Sequence, residues 1–76
     1  MIKIDEGKKV SWQLYRDRND DLLLSVLCGS IGLWEFKTYL SDEEKTKYDQ
    51  QGPSFLDNLA LLISKNPESY KTRQFT

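Results

Sequence analysis

The chemistry open to this chain is limited first by the side chains that it lacks. Its 76 residues include no histidine and one cysteine. Histidine is the usual general base, metal ligand and activator of a serine or cysteine nucleophile. Cys28 ends an apolar run, so we expect it to be a buried core residue rather than a nucleophile. The sequence predicts no catalytic residue, no metal and no cofactor, and we expect a protein that is not an enzyme.

One acidic motif resembles the start of a calcium site. Asp17, Asn19 and Asp21 have the spacing that opens an EF-hand loop. That loop needs glycine next and a bidentate glutamate at its twelfth position, where this chain has Leu22 and Cys28. The pattern therefore favours a polar turn between two strands.

Two further segments could suggest ligand binding. Residues 29–32 have the glycines of a phosphate loop but lack its lysine, and the segment after them has the pattern of a strand. Residues 42–44 are three successive acids, but neighbouring residues on a helix point in different directions and do not converge on one ion. We interpret the first segment as a turn and the second as the start of a helix.

The aromatic residues are a better indication of function. The chain has two tryptophans, four tyrosines and three phenylalanines. A single apolar helix covers one face of a sheet, which leaves the other face to Tyr15, Leu23, Leu27, Leu33 and Tyr39. Such a face is typical of a protein interface or a dimer, although strand propensity and core filling also account for many aromatic residues. A stacking platform for RNA is disfavoured because the basic residues are balanced by acids.

Strands are indicated in the first half of the chain. Residues 9–16 alternate, with Val10, Trp12 and Leu14 on one face, as expected of a half-buried strand. Residues 22–28 are apolar on both faces and residues 31–40 alternate again. Ile2 and Ile4 indicate a short fourth strand.

Helices are indicated in the second half. Ser41 and Glu44 have the spacing of a capping box, which starts a polar helix that ends at Gly52. A second helix follows from Pro53, and we place Asp57 in its first turn. Its apolar residues recur at helical spacing and should lie on the sheet: Phe55, Leu56, Leu59, Ala60, Leu62 and Ile63.

These elements predict a single α+β domain over residues 1–76. Strands occupy residues 1–40, two helices residues 41–66, and an irregular tail or strand residues 67–76. The fold class is a three- to four-stranded antiparallel meander sheet followed by two C-terminal helices packed on one face.

Charge is balanced overall but unevenly distributed. The net charge is −1, without the basic excess of a nucleic-acid binder. Residues 20–57 hold eight acidic and three basic residues, which indicates either a solvated face or a surface for a basic partner. The polar first helix has Tyr48 as its only large apolar residue, so folding alone hardly explains its charges. We predict partner binding through Tyr39, Glu43, Tyr48 and Asp49.

Location is inferred from apolar segments and cysteine content. No apolar run approaches the ~18 residues of a membrane span, and the first residues lack the apolar stretch of a signal peptide. One cysteine forms no internal disulfide. We expect a cytoplasmic protein with no membrane partner.

The C-terminal half also resembles a known class of chains. The matching features are the segment 39–44 (Leu-Ser-x-Glu-Glu after a strand), Tyr48, Gly52, the apolar positions of the second helix, residues 66–67, Tyr70 and Arg73. With these features the chain resembles short uncharacterised bacterial proteins with a strand meander and a helical C-terminus. In size, layout and charge it is also similar to small bacterial immunity proteins, which bind and neutralise a toxin.

We therefore expect a small non-enzymatic protein-binding module, either immunity-like or homodimeric. The alternative is a small-ligand-binding or enzymatic domain, which would need a concave apolar pocket with converging polar groups.

Overall fold

The computed structural model describes residues 1–28 and 34–73, with side chains through Tyr70. Four strands are followed by two α-helices and a 3₁₀ helix. Their bounds are β1 Ile2–Glu6, β2 Trp12–Arg16, β3 Leu22–Cys28, β4 Trp34–Tyr39, α1 Asp42–Gln51, α2 Pro53–Lys65 and η1 Pro67–Arg73. The predicted α+β class is confirmed.

The strands form one antiparallel sheet in the order β1-β2-β3-β4. This is the predicted meander, and β1 is the fourth strand indicated by Ile2 and Ile4. A register shift between Lys3 and Asp5 makes a bulge in β1. The turn predicted at residues 29–32 and the strand predicted at residues 31–33 lie outside the described residues.

Successive strand residues alternate between two faces of the sheet. Trp12, Val26 and Phe36 are cross-strand neighbours on one face, and all three are at most 2% exposed. Burial on this face comes from α2, which contacts β2 and β3. The shared core consists of Trp12, Leu14, Leu24, Val26, Cys28, Phe36, Leu40, Leu56, Leu59, Ala60 and Ile63.

The two helices begin and end where local sequence signals place them. The Ser41 hydroxyl accepts from the Glu44 N–H (3.2 Å), and the Glu44 carboxylate accepts from the Ser41 N–H (2.8 Å), which completes the predicted capping box. None of the ten residues of α1 is buried, whereas α2 buries Leu56, Leu59, Ala60 and Ile63. Gly52 separates the helices at φ 73°, a backbone conformation that favours glycine.

Four details differ from the sequence prediction. The strand predicted from residue 9 begins at Trp12, and Leu62, which was predicted to lie on the sheet, is 52% exposed because it falls outside the buried face of α2. Residues 67–73 form a 3₁₀ helix instead of an irregular tail or strand, and Tyr70 packs against the core. Asp57 lies beyond the first turn of α2, which contains no acidic residue, and its carboxylate accepts from the Trp12 indole N–H at 2.7 Å. Its position is therefore explained by Trp12 rather than by the helix dipole.

Candidate functional site

One face of the sheet is not covered by α2, and we call it the open face. It carries the alternate residues of each strand: Lys3, Glu6, Gln13, Tyr15, Leu23, Ser25, Leu27, Glu35, Lys37 and Tyr39. The predicted placement of Tyr15, Leu23, Leu27 and Tyr39 opposite the apolar helix is thus found in the register. Leu33 lies outside the described residues.

Two tyrosines flank a buried leucine on the open face. Tyr15, Leu23 and Tyr39 are neighbours across β2, β3 and β4, and Leu23 is only 3% exposed although α2 lies on the other face. Cross-strand neighbours are about 5 Å apart, so the two rings are close enough to cover the leucine. The result is an aromatic and apolar surface at the end of the open face next to the β2–β3 turn.

The turn between β2 and β3 orients Tyr39. The Asp17 carboxylate accepts from the N–H groups of Asn19 (2.9 Å) and Asp21 (3.0 Å) and from the Tyr39 hydroxyl. Desolvation alone would raise the pKa of Asp17, but these hydrogen bonds and nearby Lys45 lower it. Desolvation, the same hydrogen bond and the acidic neighbours raise the pKa of Tyr39. The motif that resembles a calcium loop is therefore a turn held by its own backbone, as predicted.

A partly open cavity of about 310 Å³ lies at the end of the open face that carries Leu27, and Gly7 and Trp12 also line it. Its walls include Glu6 from β1 and Glu35 from β4, the two edge strands. Between them lie Ser11, Gln13, Ser25 and Leu27. Sequence reasoning missed this cavity because its two glutamates come from opposite edges of the sheet.

The four residues predicted to bind a partner do not form one cluster. Tyr39 lies on the open face, whereas Glu43, Tyr48 and Asp49 lie on α1. Glu43 and Asp49 are exposed, and Glu43 pairs with Lys47 at 3.4 Å. Tyr48 is half-buried and packs against the core.

Tyr48 attaches α1 to the first strand. Its hydroxyl donates to the Asp5 carboxylate at 2.8 Å, and Lys45 on the same helix contacts Asp21 at 3.1 Å. Burial, this hydrogen bond and the charges of Asp5 and Asp49 raise the pKa of Tyr48 to about 12. Tyr48, the only large apolar residue of α1, therefore positions this helix, and the hydrogen bond to Asp5 is the part that the sequence did not indicate.

A second cavity of about 360 Å³ lies between the β1–β2 connection and the start of α2. Lys8 and Lys9 line it together with Asp5, Glu6 and Asp57. Two of these acids already accept hydrogen bonds, from Tyr48 and from Trp12. Because its lining has both signs of charge and two of its acids are already hydrogen-bonded, this cavity favours neither a cation nor an anion.

Cys28 is 2% exposed, and burial raises the pKa of its thiol. Both features lower its reactivity, as expected for a core cysteine. Within the described ranges, no group of three or more acidic and cysteine side chains is arranged to hold a metal ion. In the same ranges, no helix has the length and apolar character needed to cross a lipid bilayer.

Comparisons of the chain with protein-family models, curated proteins and solved structures found no match. Its function is therefore inferred from the geometry of its own residues.

Proposed function

We propose that this chain is a small non-enzymatic protein-binding module that binds its partner on the open face. The observation that supports this proposal is the aromatic cluster of Tyr15, Leu23 and Tyr39, which lies on the face opposite α2. Tyrosine is enriched in protein interfaces because its ring offers a large apolar area and its hydroxyl a polar contact. Leu27, 39% exposed on the same face, extends the apolar surface.

The proposed partner is a different protein with a basic surface. The eight acids of residues 20–57 include Glu43 and Asp49, which are exposed on α1. Long-range attraction from such acids speeds the approach of a basic partner, while an aromatic anchor such as Tyr39 supplies binding energy. A second copy of the chain would carry the same acids and be repelled by them. An immunity-like role, in which the partner is a toxin, is one form of this function.

A photo-crosslinking residue at position 27 tests the proposal in the native host. The control carries the same residue at position 58, where Asn58 is exposed on α2 and away from the sheet. We expect a crosslinked protein from position 27 and none from position 58. The purified partner should then bind about tenfold or more weakly to Tyr39→Ala, as expected for an aromatic anchor.

Three results would contradict the proposal. Crosslinking from position 58 but not from position 27 would place the interface on the helices. Crosslinking from neither position would indicate that the open face binds no protein. Crosslinking between two copies of the chain would replace the basic partner with a homodimer.

A further inference from the structure

We propose that the cavity of about 310 Å³ on the open face binds the guanidinium group of an arginine side chain. The arginine belongs to the protein partner, so this inference rests on the proposed function and adds the chemistry of one contact. The reasons are the charge of the walls, the acceptors on the floor and the distance between the edge strands.

The walls supply two negative charges. Glu6 and Glu35 line the cavity, and among its described lining residues none is a lysine or an arginine. Each glutamate pairs with a lysine of its own strand, Glu6 with Lys3 at 3.5 Å and Glu35 with Lys37 at 3.6 Å. All four side chains are about half exposed, and ion pairs of this kind contribute little, so a better donor can replace them.

The floor supplies hydrogen-bond acceptors. Ser25 is 5% exposed, and its hydroxyl donates a long hydrogen bond of 3.4 Å to Glu35, which leaves the serine oxygen able to accept. The neighbouring Gln13 carbonyl oxygen accepts from the Tyr15 hydroxyl and has a second lone pair. A buried hydroxyl with a weak carboxylate partner, in a cavity lined by a second carboxylate, favours a ligand rich in N–H donors.

The width of the cavity favours arginine over lysine. Neighbouring strands are about 4.8 Å apart, so β1 and β4 are separated by about 14 Å. Carboxylates that extend inward from both edges leave a gap for one flat group that donates in two directions. Guanidinium is planar and has five donors, whereas the lysine ammonium is a compact, strongly hydrated charge. The exposed Leu27 side chain can pack against the methylene groups of the arginine.

The test is a titration of the full ¹⁵N-labelled chain with N-acetyl-arginine methylamide, followed by NMR. We expect saturable shifts in the millimolar range at the amides of Gln13, Ser25 and Leu27. The lysine analogue should bind about fivefold more weakly, because it lacks the planar donor fork. The citrulline analogue has nearly the same shape without the charge, and it should cause no saturable shift.

Variants show whether the two glutamates are responsible. Glu6→Gln and Glu35→Gln should each weaken binding about tenfold, because a charge-assisted hydrogen bond becomes a neutral one. Both residues are exposed, so the fold should persist, and the amide spectrum checks this. Glu68→Gln removes an equal charge on η1 and should leave binding unchanged within about twofold, as expected for an exposed group outside the cavity.

Several results would overturn the inference. The first is the absence of saturable amide shifts on the open face in the arginine titration. The second is an equal response to the citrulline analogue. The third is unchanged arginine binding by both Glu6→Gln and Glu35→Gln. The titration needs no partner, so its outcome is separate from the crosslinking result. Crosslinking from position 27 without arginine binding would refute the cavity assignment alone. Arginine binding without crosslinking would refute the proposed function alone.

Discussion

Gly7 is the residue at which a single methyl group would disturb this fold most directly. Its N–H donates to the Trp12 carbonyl oxygen at 2.9 Å in the connection between β1 and β2. A Cβ at this position would collide with the Val10 carbonyl oxygen and with the Trp12 indole ring. The indole nitrogen that this Cβ would meet also donates to Asp57, so the ring has little freedom to move.

We expect Gly7→Ala to lower the free energy of unfolding by about 1–3 kcal/mol, the usual cost of overpacking. Urea denaturation measures the change. Ser11→Ala is the control, because Ser11 is exposed in the same connection and its replacement should alter stability by less than about 0.5 kcal/mol. An unchanged urea midpoint for Gly7→Ala would show that this connection is not packed tightly against Trp12.

Individual side-chain contacts were the part of the structure that the sequence predicted least. Asp57 had the features of a helix-start acid, but its partner is Trp12, which is far away in the sequence. Tyr48 was predicted to anchor a partner, but its hydroxyl donates to Asp5 in the first strand. Both hydrogen bonds depend on how α1 and α2 pack on the sheet, and residue spacing within one element contains no information about that packing.

At the scale of elements, local sequence signals were sufficient to predict the four strands and the two α-helices. Alternating polarity predicted the strands, because one face of a strand is buried while the other is not. The Ser41–Glu44 capping box and Gly52 predicted the bounds of α1, because the groups that cap a helix are neighbours in sequence. The 3₁₀ helix at residues 67–73 was missed, because its seven residues lack an apolar stripe at helical spacing.

The packing of α2 on the sheet can be tested with two leucines of one helix. Leu59 is 8% exposed in the core and Leu62 is 52% exposed. We expect Leu59→Ala to cost about 2–4 kcal/mol, the transfer and cavity cost of a buried leucine. Leu62→Ala should cost less than about 0.5 kcal/mol, as a surface substitution does. Equal urea midpoints for the two variants would mean that α2 packs through a different face.

The attachment of α1 can be tested with one hydroxyl group. We expect Tyr48→Phe to lower stability at neutral pH by about 0.5–1.5 kcal/mol, because the hydrogen bond to Asp5 is lost. Tyr70→Phe is the matched control, since the described part of the chain gives the Tyr70 hydroxyl no hydrogen-bond partner. Equal stability of Tyr48→Phe and the wild type would show that Asp5 does not fix this helix.

The Tyr48 hydroxyl also makes the stability of the fold depend on pH. The pKa of Tyr48 rises from 10.0 to about 12 on folding, so the neutral hydroxyl is favoured in the folded state. Its contribution to stability is therefore complete below pH 10 and is lost as pH rises through 12. In urea titrations, the difference in stability between the wild type and Tyr48→Phe should shrink over that interval. A constant difference would contradict the raised pKa.

At the scale of the whole molecule, the sequence predicted the open face but not the cavity on it. The period of two placed Tyr15 and Tyr39 opposite Trp12, because alternation along each strand determines the face of every residue. The cavity requires Glu6 and Glu35 to approach from opposite edges, which depends on the strand order of the complete sheet. Binding of a partner through Tyr39, Glu43, Tyr48 and Asp49 stays a prediction, with Tyr48 now in a supporting position.

The exposed acids of α1 should control how fast a basic partner associates with this chain. Glu43 and Asp49 are exposed, and the ion pair of Glu43 with Lys47 at 3.4 Å contributes little to stability. Reversing both acids to lysine should therefore leave the fold intact. If α1 attracts a basic partner, the double reversal should slow association with the crosslinked partner about tenfold or more at low salt. The difference should diminish near 0.15 M salt, where screening acts over about 8 Å.

Glu68→Lys, which reverses an exposed charge on η1, should have a much smaller effect than Glu43→Lys. An unchanged association rate at low ionic strength would show that α1 is only a solvated face.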